Sequence, residues 1–516
     1  MTGREERQRG RRRNRGDGTT KPVLEQMPWR QPTYQDPPIE PLDAEGVEKI
    51  HLTAMRILEE IGIDFLNEEA KDVLKKAGVD VDPDSDRVRM DRDFVMERVR
   101  RAPEQFTITP RNPERSIVWG GRHTTFGNVS SPPNVTDLDH GRRTGTREDF
   151  RALLKLSHAF NCIHFVGGYP VEPIDIHPSV RHLDAILDKL VLTDKVIHAY
   201  CLGTERVEDA MEMVRIAAGL THEEFDARPR MFTNINSSSP LKHDWPMLDG
   251  AMRMARRGQP VLVTPFTLSG AMAPVTLAGA IAQQTAEALA AIALLQEINP
   301  GVPVGYGAFT SNVDMKTGAP AFGTPEFMRA TQMSGQMARF YGLPFRSTGA
   351  NAANFPDGQA VWESMNSLFG ATTAHANVIY HAAGWLEGGL LASMEKFVMD
   401  CEVLQQIAYY HQPVPVDDDS LAFAAIAEVG PNGHFFGAAH TMERYRTAYY
   451  APFLSDWSNF ETWMEHGGRT VHERANTLWK KIVAAYEPPP MDEAIREELE
   501  AFVARRKEEG GAPTDF

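Results

Sequence analysis

The residues able to do chemistry in this chain fall just after short apolar runs. Tyr169 stands with Glu172, Asn234 with Asn236 and the serines Ser237, Ser238 and Ser239, and Thr267 with Ser269. Further on, Tyr306 stands with Phe309 and Asp314, Asn351 with Asn354 and Asp357, and His381 with Trp385 and Glu387. Aromatics, amides, hydroxyls and a few carboxylates recur, without an adjacent pair of metal ligands. Rings in such a set suit a methylated ammonium group, which has no N–H to donate and is held by ring faces and by apolar contact with its methyls. Tyr306, Phe309, Phe355, Trp362 and Trp385 are the candidate cage. His381, followed by Gly384, Trp385 and the pair Gly388 and Gly389, puts an imidazole at the end of an apolar run beside glycine-opened space, and is the candidate catalytic group. His440 stands in a similar small-residue setting.

Other chemistries fit less well. Ser269 and the serine triplet lack the G-x-S-x-G context of a nucleophile elbow, and Cys162 and Cys201 have no histidine partner in sequence. His177 and His182, with Asp175 nearby, do not have zinc-ligand spacing. Asp357 with Glu363 or Glu387 offers carboxylate pairs of the kind used in acid–base hydrolysis. A barrel hydrolase or lyase built on them is one alternative, and a non-catalytic binder of quaternary amines is another.

The elements that must position these residues alternate regularly from about residue 147. Apolar runs at 164–169, 196–202, 230–236, 261–266, 302–309, 345–349 and 377–383 are separated by helical stretches. Such a succession of βα units predicts an α/β fold, a parallel sheet closed as a (β/α)8 TIM-type barrel with its active groups at the carboxyl ends of the strands. The eighth strand is expected near 433–438. Thr324, Pro325 and Glu326 spell a helix start, and 275–297 is rich in Ala and Leu. No G-x-G-x-x-G follows the first run, and 301–307 lacks phosphate-loop spacing. Ahead of the barrel, 43–146 reads as an N-terminal cap, with helices over 43–66, 68–77 and 91–102 and a β-rich piece over 106–137. The barrel is expected over 147–450 and a C-terminal helical extension over 451–516, ending in a charged helix at 492–507.

Composition sets outer bounds. The 516 residues are 42% hydrophobic and 24% charged, with a formal charge of −16 spread along the chain. That is ordinary globular usage and argues against a nucleic-acid surface. One basic run, 4–15, lies in a tail over 1–42 that reads as solvated and disordered, and no apolar segment follows Arg11, Arg12 and Arg13 as an export signal requires. No run approaches the roughly 18–20 apolar residues of a membrane span. Three separated cysteines form neither a zinc pair nor a disulfide framework. The expectation is a soluble, cytoplasmic protein without a bound metal.

Four strings carry a resemblance: APVTLAGAIAQ at 273–283, VGYGAFTSNVDMKTG at 304–318, HAAGWLEGG at 381–389 and GPNGHFFGAAHT at 430–441. With the rest of the chain they resemble the trimethylamine methyltransferase family. The resemblance implies a barrel that passes a methyl group from an amine to the Co(I) form of a corrinoid, a cobalamin-type cofactor carried by a separate corrinoid protein. The barrel would supply binding, alignment and exclusion of water. On this reading His381 is catalytic, and Tyr306, Phe309, Asn351, Phe355, Trp385 and Glu387 contact the substrate. Asn234, Asn236, Ser269, Asp314 and His440 would contact the corrinoid. Family members acting on trimethylamine use pyrrolysine near the segment 348–359, which here reads TGANAANFPDGQ in standard residues. That points to a quaternary, betaine-like amine, with a tertiary amine as the alternative. The stretch is also less polar than in betaine-type members, which leaves the particular amine open. A carboxylate tail would be met by Arg346, Lys316 or a cluster of amides. A quaternary substrate releases a neutral amine and needs no strong general acid. Assembly into a homo-oligomer is compatible with all of this.

Overall fold

A computed structural model describes residues 23–514, so the basic run at 4–15 lies outside the described residues. Eight parallel strands form one sheet: β1 (Thr125–Asn128), β2 (Phe165–Val166), β3 (Val196–Ile197), β4 (Thr233–Ile235), β5 (Val261–Val263), β6 (Val304–Gly307), β7 (Phe345–Thr348) and β8 (Val378–Ala383). Each strand is followed by a helix: α1 (Arg147–Ala159), α2 (Pro178–Leu192), α3 (Thr204–Ala217), α4 (Trp245–Arg256), α5 (Leu277–Ile298), α6 (Pro325–Phe340), α7 (Gly358–Thr373) and α8 (Met394–Tyr410). The strands neighbour one another in chain order, with β8 beside β1. Between β3 and β4 the sheet is closed by a parallel bridge from His198 to Phe232, where Thr233 Oγ1 also donates to the Ala199 carbonyl at 2.7 Å. The architecture is a closed (β/α)8 barrel.

Seven strands fall inside the apolar runs identified from sequence. The eighth does not lie at 433–438. That segment holds a short exposed 3-10 turn, Phe435–Gly437, and the missing strand is β1, within the stretch expected to belong to the cap. Helix starts follow the side-chain chemistry. Thr146 and Asp149 form a capping box on α1, and Thr324 accepts from the Phe327 N–H with Pro325 in the first turn of α6.

Inside the barrel, Phe165, Val196, Phe232, Leu262, Val378 and Tyr380 pack into one cluster with Ile108, Ile117 and Trp119. The last three come from the hairpin Gln105–Ile108 and Ile117–Gly120, which plugs the end where the strands begin. Close packing there needs residues without side chains: a Cβ on Gly127 would lie 2.2 Å from the Phe165 ring. The cap helices Ala44–Arg56, Glu68–Lys76 and Arg92–Val99 lie over α5. This explains why α5 is apolar all round, and long and apolar enough to cross a membrane by composition, yet 83% buried within the protein over its most apolar window. At the other end of the chain, Val471–Ala484 packs on α8 and α1, and Glu493–Glu508 on α2 and α3.

Candidate active site

Strands of a barrel send alternate side chains inward, and those near the carboxyl ends surround a cavity of about 530 Å³. Its inner wall is Phe309, Arg346, Tyr380, His381 and Trp385; its outer wall includes Tyr169, Glu172, Lys189, His198 and Tyr200.

A local irregularity builds the inner wall. In β8, Val378 and Tyr380 face inward by the period-two rule, which would turn His381 outward. The register between β8 and β1 shifts between Ile379 and Ala383, and His381 has φ +50°. This bulge brings two successive side chains, Tyr380 and His381, into the same cavity. A non-glycine residue in the left-handed region costs on the order of 1–3 kcal/mol and clusters at functional sites. The His381 ring lies 4.1 Å from Trp385 and 5.6 Å from Phe309, centroid to centroid, and its Nδ1 is 2.7 Å from Thr348 Oγ1. Burial, then the nearby Arg346 and His198, hold His381 well below the ordinary histidine range, so it is a neutral imidazole.

Trp385 is fixed from behind. Its Nε1 donates to the Asn351 carbonyl at 3.0 Å, and Asn351 Nδ2 donates back to the Trp385 carbonyl at 2.6 Å. Asn351 therefore positions the indole and does not line the cavity.

Arg346, on β7, is 2% exposed, with its guanidinium carbon 4.6 Å from the Tyr380 ring and 5.3 Å from the Phe309 ring. Among the described residues its Nε and Nη1 have no hydrogen-bond partner, and neither does the Tyr380 hydroxyl. Burial lowers Arg346 to about 10, still a cation at neutral pH. A buried cation with unpaired donors facing a cavity is costly unless an anion meets it.

In the outer wall, Lys189 Nζ donates to the His198 carbonyl at 2.9 Å, and burial pulls the amine down to about 7. Burial pushes Glu172 up to about 7, with Arg181 3.5 Å away. Asn234 and Asn236 also line the cavity; the Thr264 hydroxyl donates to Asn234 at 2.7 Å, and Asn236 donates to the Thr264 carbonyl at 2.7 Å.

Of the positions singled out from sequence, Phe309, Trp385, His381, Asn234 and Asn236 come together here, with Tyr169 and Glu172. The others lie elsewhere. Tyr306 points outward from β6 and bonds to Thr285 and Gln284 of α5 at 2.8 and 3.0 Å. Phe355 and Trp362 are exposed on the outer surface, and Glu387 pairs with Arg142 at 3.1 Å. Ser269 donates to the Pro274 carbonyl, Asp314 closes an exposed turn with Lys316 and Thr317, and His440 sits far along the chain after α8. Lys316 is exposed, leaving Arg346 as the cation of that expected pair inside the cavity. Serines 237 and 239 both donate to the buried Glu287 and so brace the loop after β4. Among the described residues, Asp137, Asp139 and His140 are close enough together to suggest a metal, but Arg143 binds Asp137 at 2.7 Å and Lys480 pairs with Asp139. Sequence reasoning passed over Tyr380 and His198 because both sit within or directly beside the apolar strand runs.

An aromatic-walled cavity holding a buried arginine whose Nε and Nη1 lack a hydrogen-bond partner among the described residues, at the carboxyl end of a closed (β/α)8 barrel, defines a barrel enzyme for a small ligand. The chain belongs to the trimethylamine methyltransferase (MTTB) family, whose model matches residues 7–511, and it is a methyltransferase. It is 38% identical over 471 residues to a glycine betaine methyltransferase of Desulfitobacterium hafniense (strain Y51), covering 91% of this chain and 98% of that protein. It is 29% identical to the trimethylamine methyltransferase MttB of Desulfitobacterium hafniense (strain DSM 10664 / DCB-2), covering 90% and 94%. It is also 29% identical to the proline betaine:corrinoid methyltransferase of Eubacterium limosum, covering 89% and 96%.

Proposed function

We propose that the protein transfers a methyl group from a quaternary ammonium that also bears a carboxylate, a betaine, to the cobalt of a corrinoid presented by a separate protein in the cytoplasm. The observation that carries the substrate is Arg346, a buried cation with unpaired Nε and Nη1 beside the ring wall. A carboxylate accepts from those donors, and the attached ammonium, a bond or two further on, rests against Trp385 and Phe309. Neutral His381 adds a polarisable face without the repulsion an imidazolium would bring. Two of the relatives, named for glycine betaine and proline betaine, act on substrates of this chemistry.

A Co(I) corrinoid supplies a nucleophile for the methyl carbon. A cavity of about 530 Å³ holds a betaine but is too small for a corrinoid as well, which fits an acceptor offered at the mouth rather than housed within. The chain's own work is to anchor the carboxylate, to aim one methyl outward and to keep water from the ammonium. The departing tertiary amine is neutral, so no residue has to deliver a proton.

The test is the optical conversion of Co(I) to methyl-Co(III) cobalamin by purified enzyme with a panel of quaternary and tertiary amines, repeated with Arg346→Met. Turnover with a betaine is expected, with KM raised at least about thirtyfold in the variant. Equal turnover of carboxylate-free amines would overturn the substrate, and silence with every amine would overturn the reaction.

A further inference from the structure

Lys396 and Asp400 form an ion pair one turn apart on α8, at 0% and 4% exposure. Neither lines the cavity, and neither binds the substrate in the reaction described above. The pair does little for the helix that carries it. Lys396 sits in the first turn of α8, where the helix dipole disfavours a cation, and Lys before Asp is the poorer order at this spacing. Ser393 already caps the helix, accepting from the Lys396 N–H at 3.1 Å. Two charges taken out of water are also a poor source of stability, since apolar side chains of the same volume often hold a fold as well or better.

What the pair does hold is the stretch that follows the bulge in β8. Asp400 Oδ2 accepts from the Gly384 N–H at 2.8 Å, and Asp400 Oδ1 accepts from Lys396 Nζ. Lys396 Nζ donates onward to Ser364 Oγ of α7 at 2.8 Å. Ser364 Oγ also accepts from Asn351 Nδ2 at 3.1 Å, and the same amide nitrogen donates to the Trp385 carbonyl. The amide cannot turn over, because that carbonyl only accepts. The bonds thus close a ring that starts at Gly384 and ends at Trp385, passing through α8, α7 and the loop after β7.

Gly384 has φ +90°, the turn that carries the chain from His381 to the indole. Its buried N–H needs an acceptor, and a carboxylate is a stronger one than a carbonyl. Lys396 compensates the charge that Asp400 brings, and its second bond braces Ser364 and, through it, Asn351. Both anchors of the Trp385 segment therefore depend on one buried pair.

We propose that Lys396 and Asp400 are positioning residues for methyl transfer: through Gly384 on one side and through Ser364 and Asn351 on the other, they set the angle at which the Trp385 indole faces the substrate ammonium, a role that rests on Trp385 being a wall for that ammonium. The test replaces the pair by apolar side chains, Lys396→Met with Asp400→Leu, in the full chain. Three quantities are read: the melting temperature, the emission of Trp385, and the Kd of glycine betaine by calorimetry without corrinoid. Trp385 is separated from the rest of the eight tryptophans by subtracting the emission of the matching protein that also carries Trp385→Phe.

The variant is expected to melt no lower than the wild type, with Trp385 emission shifted and more open to acrylamide quenching. It is expected to bind the betaine about tenfold more weakly, the effect of one buried hydrogen bond left unmade. Lys396→Met with Asp400→Asn gives Gly384 back an acceptor and is expected to recover part of both changes. Unchanged Trp385 emission would overturn the proposal, and so would an unchanged Kd; a lower melting temperature with both unchanged would assign the pair to stability alone. If the wild type binds no betaine, the substrate reading fails, and Trp385 emission still decides whether the pair positions the indole. Should the apolar variant fail to fold, Ser364→Ala, which cuts the ring at α7 and leaves the ion pair in place, is expected to shift the emission in the same direction, and no shift would overturn the proposal.

Discussion

Nδ1 of His381 and Oγ1 of Thr348 lie 2.7 Å apart, joining adjacent strands β8 and β7 just where β8 bulges. The bond fixes the rotation of an imidazole whose backbone is already committed to the left-handed region. A hydrogen bond left unmade at a buried polar atom costs about 1–3 kcal/mol. Thr348→Val keeps the shape and removes the hydroxyl, and is expected to lower kcat/KM for methyl transfer about tenfold with native circular dichroism. His381→Ala is expected to remove turnover altogether. Near-normal rates in both would take the imidazole out of the site.

Arg346 gives a prediction with opposite signs for binding and for stability. With no hydrogen-bond partner for Nε and Nη1 among the described residues, the guanidinium is a buried charge open to a ligand. Arg346→Met fills similar volume and removes that charge. Replacing even a buried ion pair by apolar side chains of similar volume is often neutral or stabilising, by up to about 1–4 kcal/mol, and a guanidinium without a carboxylate partner has less attraction to lose. The variant is therefore expected to melt at a higher temperature than the wild type while KM for a betaine rises at least about thirtyfold, the loss of a charge-assisted pair worth about 2 kcal/mol or more. A lower melting temperature would mean that Arg346 holds the barrel together instead.

Much of the fold was legible because barrel strands buried on both faces read as apolar runs, and seven of them announce themselves. β1 stayed hidden because Thr125, Phe126, Gly127 and Asn128 offer one large apolar residue between polar ones, and Gly127 is there to admit the Phe165 ring. The segment 433–438 imitated a strand through Phe435 and Phe436, both of which are exposed. In the site, residues placed after strands were found as far as Phe309 and Trp385. Tyr306 failed on parity: it lies between the inward glycines Gly305 and Gly307 and so points to α5. The bulge that turns His381 inward leaves no mark in the run VIYHAA, and Asn351 acts through its hold on Trp385, a contact across 34 residues.

That hold is testable. Asn351→Leu removes the donor to the Trp385 carbonyl and leaves the backbone carbonyl that accepts from the indole N–H, so one of the two bonds that fix Trp385 is lost. Since Asn351 does not line the cavity, a pure contact role predicts no effect on substrate affinity. A positioning role predicts a rise in KM for quaternary amines together with a change in Trp385 fluorescence on substrate addition. Trp385→Phe, which keeps a ring but drops the N–H, is expected to fall between wild type and Trp385→Ala.

The outer wall makes substrate binding depend on pH near neutrality. Burial raises Glu172 to about 7 and lowers Lys189 to about 7, so both change state in the same window. Below it the carboxyl is neutral and the amine charged; above it the carboxylate forms and the amine is lost. The cavity thus becomes more negative as pH rises through about 7, while Arg346, at about 10, stays charged throughout. A substrate held by its carboxylate is repelled by that change, and KM for a betaine is expected to climb with pH above neutrality. Glu172→Gln removes the carboxylate and is expected to flatten the rise, with Lys189→Met flattening it from the other side. A KM that falls with pH in the wild type would place the ammonium, not the carboxylate, beside Glu172.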